Sequence, residues 1–113
     1  MLAYVDTTIP IERLSNFEVD GKEVMWLLLK PRRTPRPFST FIVVIVYYPP
    51  GQSVENGNEM INYLTDGLDS LVHVRLSTRI IIAGDFNKLN LSGLCNRFGL
   101  KKQFPRQREE RIP

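Results

Sequence analysis

The sequence predicts a small α/β domain, because two β-branched apolar runs flank a segment with helical periodicity. The first run covers residues 39–47 and the second covers residues 79–83. Over residues 55–74, apolar side chains recur mostly three or four positions apart, as on one buried helix face: Met60, Ile61, Leu64, Leu68, Leu71 and Val72. A strand–helix–strand connection of this kind joins parallel strands. We therefore expect one such unit over residues 39–84.

Both strands of this unit end in a way that the sequence marks. The segment FIVVIV, residues 41–46, shows no alternation of apolar and polar residues, which predicts a strand buried on both faces. Pro49 and Pro50 stop this strand, and Gly84 follows the second run. Because the strands are expected to be parallel, their carboxyl ends should meet at one edge of the sheet, where open α/β sheets form their sites.

The N-terminal part predicts a β-hairpin over residues 17–29. The pair Asp20 and Gly21 lies between two apolar runs, and an Asp-Gly pair in that position is a strong turn signal. Residues 2–6 favour one further short strand.

The C-terminal part predicts a short helix over residues 89–98. Asn90 is its candidate N-cap, and Gly99 suits the position just past its end. Residues 100–104 favour a last short strand. Residues 105–113 have little apolar content, so we expect one domain over residues 1–104 followed by a disordered tail.

The charge distribution suits a polyanionic partner without requiring one. The chain has 113 residues and a formal net charge of +3. Basic residues concentrate in two segments and are candidate contacts to the phosphates of DNA or, alternatively, RNA: Arg32, Arg33, Arg36, Lys101 and Lys102. The alternative is that the two segments are a solvated loop and a solvated tail.

Cysteine and histidine usage excludes two kinds of site. With a single cysteine, Cys95, and a single histidine, His73, neither an intramolecular disulfide nor a zinc pattern can be built.

The N-terminus lacks the features of a signal peptide, and no apolar run is long enough to span a membrane. These features favour an intracellular location, nuclear or cytoplasmic, rather than secretion.

Polar residues follow both strands of the central unit at the expected site edge. Tyr47 ends the first strand, and Asp85 and Asn87 follow the second. A carboxylate can hold a water or a divalent cation, and an amide can both donate and accept. Gly84 would let a ligand or a backbone approach closely. The alternative is that Asp85 or Asn87 only caps a turn.

These residues also carry a resemblance to a known family. IIIAGDFN, residues 80–87, resembles the Gly-Asp-Phe-Asn motif of the endonuclease/exonuclease/phosphatase superfamily. VIVYYPPG, residues 44–51, resembles its Tyr-x-Pro-Asn strand end at the matching distance. Residues 23–51, with GLCNRFGLKKQ at 93–103, look like the endonuclease domain of non-LTR retrotransposon (reverse transcriptase) polyproteins. The resemblance covers about residues 4–103.

The resemblance implies a two-sheet α/β sandwich, of which this chain would form a part, and phosphodiester hydrolysis that depends on Mg²⁺ or Mn²⁺. Carried over by position, Asp85 would activate the attacking water and contribute weakly to the metal site. Asn87 would orient that aspartate or bind a phosphate oxygen, and Tyr47 would donate its hydroxyl to the phosphate.

The chain departs from the family pattern at several positions. The family's metal-binding glutamate has no counterpart in context, since Glu12, Glu18 and Glu23 do not match it. The late Asp-His pair is absent, His73 falls on the helix instead, and Pro50 replaces the asparagine of the tyrosine motif.

Three interpretations follow from this comparison. The chain is expected to be part of a retrotransposon-derived endonuclease domain that is inactive alone. Alternatively, it is a non-catalytic basic module that binds nucleic acid, or a gene-model product without a function. An apolar strand edge left open at FIVVIV would favour poor solubility or self-association.

Overall fold

Two strands and the helix between them form the centre of the structure. The structure is a computed structural model, and it describes residues 2–5, 8–30, 40–74, 78–87 and 89–102. In chain order the elements are β1 (Ile11–Arg13), a 3-10 turn (Ser15–Phe17), β2 (Glu23–Leu29), β3 (Thr40–Tyr47), α1 (Val54–Val74), β4 (Thr78–Asp85) and α2 (Ser92–Phe98). The strands form one sheet in the order β1-β2-β3-β4.

The sheet is mixed, and its parallel pair is the one that the sequence predicts. β3 and β4 are parallel, with Val44 opposite Ile82, whereas β2 is antiparallel to both β1 and β3. The predicted α/β class and strand–helix–strand unit are thereby confirmed. The two-sheet sandwich that the resemblance implies stays a prediction.

One face of the sheet carries the core together with both helices. The alternate residues of β2 and β3 that face the helices are buried against the apolar side of α1, and Leu94 of α2 joins the same cluster. The core residues are Leu14, Val24, Trp26, Leu28, Ile42, Val44, Val46, Tyr48, Met60, Leu64, Leu68, Leu71 and Leu94. Residues 80 and 82 of β4 are half-buried against this cluster.

The opposite face of the sheet is apolar and only partly covered, and we call it the open face. On β4 this face carries Arg79, Ile81, Ala83 and Asp85. Its apolar residues on β2 and β3 are Met25, Leu27, Leu29, Phe41, Val43 and Ile45. Met25 and Leu27 are buried, the three β3 residues are half-buried, and Ile81 is 44% exposed. The expectation that FIVVIV is buried on both faces is therefore wrong for this second face. The exposed edge of the sheet is also not at FIVVIV, because β3 lies between β2 and β4.

The predicted hairpin over residues 17–29 is wrong in its first strand. On the side away from β3, β2 pairs with β1, with Ile11 opposite Leu29, and residues 15–17 form a 3-10 turn. This turn brings the Phe17 ring to 5.6 Å from the Trp26 ring, measured between centroids. Packing on the buried tryptophan thus outweighs the local strand pattern.

The remaining terminal predictions have mixed outcomes. Residues 2–5 and 100–102 form no strand, and α2 begins at Ser92 rather than at residue 89. Asn90 still accepts a bond from the Ser92 backbone N–H at 3.0 Å, and Gly99 ends the helix with φ of 66° as expected. The tail, residues 105–113, lies outside the described residues.

A short hydrogen-bond chain links the core to the 3-10 turn. The Trp26 indole N–H donates to the Tyr63 hydroxyl at 2.7 Å, and that hydroxyl donates to the Phe17 carbonyl at 2.6 Å. Burial raises the pKa of the Tyr63 phenol, the bond from Trp26 acts the other way, and the Glu18 carboxylate adds to the rise. Tyr63 therefore satisfies two groups at once on the side of the core where the turn docks.

Replacing Tyr63 by Phe is expected to lower the free energy of unfolding by about 1–2 kcal/mol, because the buried indole N–H loses its acceptor. A raised phenol pKa contributes stability that is present below the ordinary value of about 10 and is lost as pH rises through the folded-state value. Urea titrations at pH 7 and at alkaline pH, followed by Trp26 fluorescence, measure both effects. Tyr4→Phe is the control, since Tyr4 is 89% exposed. Equal stability losses in the two variants would contradict the assigned role of Tyr63.

Candidate functional site

The candidate site lies where β3 and β4 end. The parallel register places Tyr47 opposite Asp85, so two residues that are far apart in sequence become neighbours on adjacent strands. Tyr47 is 37% exposed and Asp85 is also exposed, whereas the next residue, Tyr48, is buried in the core. The structure thus brings together two of the three predicted catalytic residues at a solvent-accessible edge of the sheet.

The third residue, Asn87, holds the turn that follows β4. Its side-chain amide donates to the backbone carbonyl of Tyr48, and its backbone N–H donates to the Asp85 carboxylate at 3.3 Å. Asn87 has φ of 49°, a left-handed conformation that asparagine tolerates better than most residues. The Tyr48 N–H in turn donates to the Asp85 carbonyl at 2.8 Å. The turn-forming alternative for Asn87 is therefore observed, and its amide is partly committed to the backbone.

Gly84 is required for the approach of β4 to β3. Its φ is 136°, and a Cβ atom built on it would lie 1.9 Å from the Val46 carbonyl oxygen. Any side chain here would push the two strands apart one residue before Asp85. Of the two roles foreseen for this glycine, the structure shows close approach of a backbone.

Glu23, which the sequence comparison set aside, lies in line with the candidate site in the structure. It starts β2 and lies opposite Tyr47, so Glu23, Tyr47 and Asp85 occupy one row across three strands. Glu23 is exposed. Two strand spacings separate the two acidic residues, about 10 Å. Only the register of β2 on β3 reveals this row, since the distance along the chain from Glu23 to Tyr47 carries no such signal.

The side chains described at this edge do not provide a set of oxygen ligands that fits Mg²⁺. Among the described residues, no group of three His, Cys, Asp or Glu side chains lies close enough to hold a metal ion. Magnesium keeps its water shell unless several oxygen ligands converge, and Asp85 is one carboxylate whose oxygen already accepts a bond. We therefore derive no step through a metal at this edge.

His73 lies far from the candidate site. The helix α1 leads from the end of β3 back to the start of β4, and His73 is exposed in its last turn. A helix of 21 residues is about 30 Å long, so the histidine is near the opposite end of the sheet from Asp85.

Two of the five predicted nucleic-acid contacts lie within the described residues. Lys101 and Lys102 are exposed and follow the end of α2 after two intervening residues. An exposed ion pair from Arg97 to Asp69 at 2.7 Å joins that helix to α1 and raises the pKa of Arg97. Arg32, Arg33 and Arg36 lie outside the described residues.

Comparison with protein-family models, with curated proteins and with solved structures finds no significant match. Within the described ranges, no helix has the length and apolar character needed to cross a membrane.

Proposed function

We propose that the chain carries part of the site of an endonuclease/exonuclease/phosphatase-type phosphodiester hydrolase of retrotransposon origin, and that it does not hydrolyse phosphodiesters by itself. The observation that carries this proposal is the register of β3 on β4, which sets Tyr47 beside Asp85 at the carboxyl edge of a parallel pair. Asn87 supports it by bonding the turn after Asp85 to the end of β3.

The residues at this edge suit two of the tasks that phosphodiester hydrolysis needs. The exposed Asp85 carboxylate is able to accept a proton from water, and the Tyr47 hydroxyl is able to donate a hydrogen bond to a phosphate oxygen as charge builds there. Asn87 acts on Asp85 through the backbone N–H that reaches its carboxylate. Its role is to position that carboxylate.

Within the described ranges, no group of three His, Cys, Asp or Glu side chains lies at this edge to perform the remaining tasks. His73 is at the other end of α1, and Glu23 is two strands away from Asp85. Catalytic groups act as a unit, so the loss of some of them removes most of the rate that the others could contribute. A binding partner with further carboxylate and histidine ligands would be needed for turnover.

The purified chain is expected to show no hydrolysis of plasmid DNA with Mg²⁺ or Mn²⁺ above the buffer rate. Asp85→Ala should be indistinguishable from the wild type, and so should the control Asp20→Ala, which removes an exposed carboxylate in the turn before β2. Metal-dependent cleavage that disappears in Asp85→Ala and persists in Asp20→Ala would overturn the inactivity.

A magnesium titration followed by NMR tests the site separately from turnover. Because Asp85 belongs to no group of three metal-ligating side chains among the described residues, we expect no saturable shift at the amides of Asp85, Phe86 and Asn87 at low millimolar metal. Saturable shifts confined to these amides would show a working half-site. They would then justify a search for a complementing chain.

The exposed Lys101 and Lys102, just beyond α2, favour a second candidate, a non-catalytic nucleic-acid-binding module. Phosphate contacts made by Lys and Arg weaken steeply as salt rises. In this alternative, replacing Lys101 and Lys102 by Glu should abolish salt-dependent DNA binding, whereas Asp85→Ala should leave it intact. Binding that depends on Asp85 and not on the lysines would favour the first proposal.

A further inference from the structure

The outer edge of β4 has no strand partner within the described part of the chain. This edge strand is eight residues long, contains no proline or lysine, and is charged only at Arg79 and Asp85. Natural proteins protect such edges with short strands, lysines, prolines or bulges, because unpaired N–H and C=O groups template the addition of another strand. β4 therefore offers an apolar edge for one more strand.

We propose that β4 pairs antiparallel with β4 of a second copy of this chain, about a two-fold axis perpendicular to the sheet. Such an axis keeps each face of one sheet continuous with the same face of the other. A residue on the open face must then lie opposite another open-face residue. This condition restricts the pairing to registers in which Arg79 faces residue 79, 81, 83 or 85 of the second copy.

Charge complementarity selects one of these registers. If Arg79 lies opposite Arg79 of the second copy, two like charges meet directly, which is destabilising. If Arg79 lies opposite residue 81 or 83 of the second copy, it meets an Ile or an Ala and gains no ion pair. With residue 85 it meets Asp85, and symmetry generates the same ion pair a second time. Cross-strand pairs of opposite charge stabilise a sheet, so the register is set by two ion pairs that flank the apolar centre.

The same register places Ile82 opposite Ile82 of the second copy, on the two-fold axis. Ile81 then lies opposite Ala83, and Ile80 lies opposite Gly84, so the apolar residues of the edge meet one another. The product is a continuous eight-stranded sheet, which carries all four helices on one face because the axis preserves the faces. Pairing of this kind also brings a guanidinium to each Asp85.

A cysteine placed on the axis tests the register. In a Cys95→Ser background, Ile82→Cys should form a disulfide-linked dimer on mild oxidation, because residues directly opposite in an antiparallel pair have Cα atoms about 4.5–5.5 Å apart. Ile80→Cys is the matched control on the same strand and face. In the dimer, residue 80 of one copy and residue 80 of the other are four residues out of register. Their Cα atoms are about 14 Å apart, so they should not cross-link.

The charge reversal tests the ion pairs. Light scattering coupled to size exclusion should find a dimer for the wild type, and Arg79→Glu should raise the dissociation constant about tenfold or more by facing Asp85 with a like charge. The double variant Arg79→Glu with Asp85→Arg should restore the dimer. Lys101→Glu makes the same charge change outside the sheet and should leave it unchanged, and Trp26 fluorescence checks that each variant is folded.

A monomeric wild type would overturn the proposal, as would equal cross-linking at residues 80 and 82. A dimer that Arg79→Glu leaves intact would overturn the proposed register. None of these results depends on hydrolysis, so the pairing stands or falls separately from the proposed function.

Discussion

Gly84→Ala is expected to be the most damaging single-methyl change in the described part of the chain, lowering the free energy of unfolding by about 3 kcal/mol or more. The added Cβ would lie 1.9 Å from the Val46 carbonyl oxygen, a distance that no rotamer relieves because both atoms belong to the backbone frame. The φ of 136° is a second penalty, since L-residues rarely adopt it.

The control for this variant separates the collision from the backbone conformation. Gly21 has φ of 87°, and a Cβ built on it meets no atom within 4 Å. Gly21→Ala should therefore cost only the conformational penalty, about 1–2 kcal/mol. Urea unfolding followed by Trp26 fluorescence measures both variants. If the two variants lose the same stability, the contact between Gly84 and Val46 is not what requires the glycine.

Gly84→Ala also bears on the candidate site. Because Gly84 immediately precedes Asp85, a separation of the strands there would move the carboxylate away from Tyr47. An NMR comparison of the variant should show the largest shift changes at the ends of β3 and β4, with α2 little affected.

Gly67→Ala is expected to have the second largest effect on the free energy of unfolding, because Gly67 is where α1 crosses the single tryptophan, Trp26. A Cβ at Gly67 would lie 2.5 Å from the nearest carbon of the Trp26 ring. The ring has no room to withdraw, because it is fully buried and its N–H is bonded to Tyr63 at 2.7 Å. Overpacking of this kind typically costs about 1–3 kcal/mol.

The same substitution ten residues earlier in α1 is the matched control. At Gly57 a new Cβ would lie 3.4 Å from the Tyr48 hydroxyl and 3.7 Å from Leu89, which is ordinary contact. Gly57→Ala should stabilise the helix by up to about 1 kcal/mol, so the two variants are expected to have opposite signs and to differ by about 1–4 kcal/mol. Thermal unfolding followed by circular dichroism suffices, and a stabilising Gly67→Ala would contradict the described packing of Trp26.

The parallel unit could be predicted from the sequence because its signals are long and local. Residues 42–46 and 80–82 are unbroken runs of Val and Ile, and the apolar residues of α1 recur three or four positions apart from Met60 to Val72. Patterns of that length leave few alternative folds for the segment. The position of Tyr47 and Asp85 at one edge follows from the parallel connection alone.

The parts that could not be predicted depend on contacts between distant segments. β1 is three exposed residues with no pattern of its own, and its strand conformation comes from pairing with β2. Phe17 leaves the predicted hairpin because its carbonyl and its ring both engage the core, through Tyr63 and Trp26. Glu23 joins the row with Tyr47 through a register that no local signal encodes.

The helix between the two parallel strands also determines the order in which the sheet is able to assemble. Antiparallel neighbours need only a short connection, whereas β4 reaches β3 only after α1 has formed and docked. Strands that are far apart in sequence pair slowly, because the chain loses loop-closure entropy before the contacts that compensate for it have formed. We therefore expect β4 to join last in refolding. Until then β3 is itself an edge strand, and at high protein concentration this interval is when chains are most exposed to aggregation.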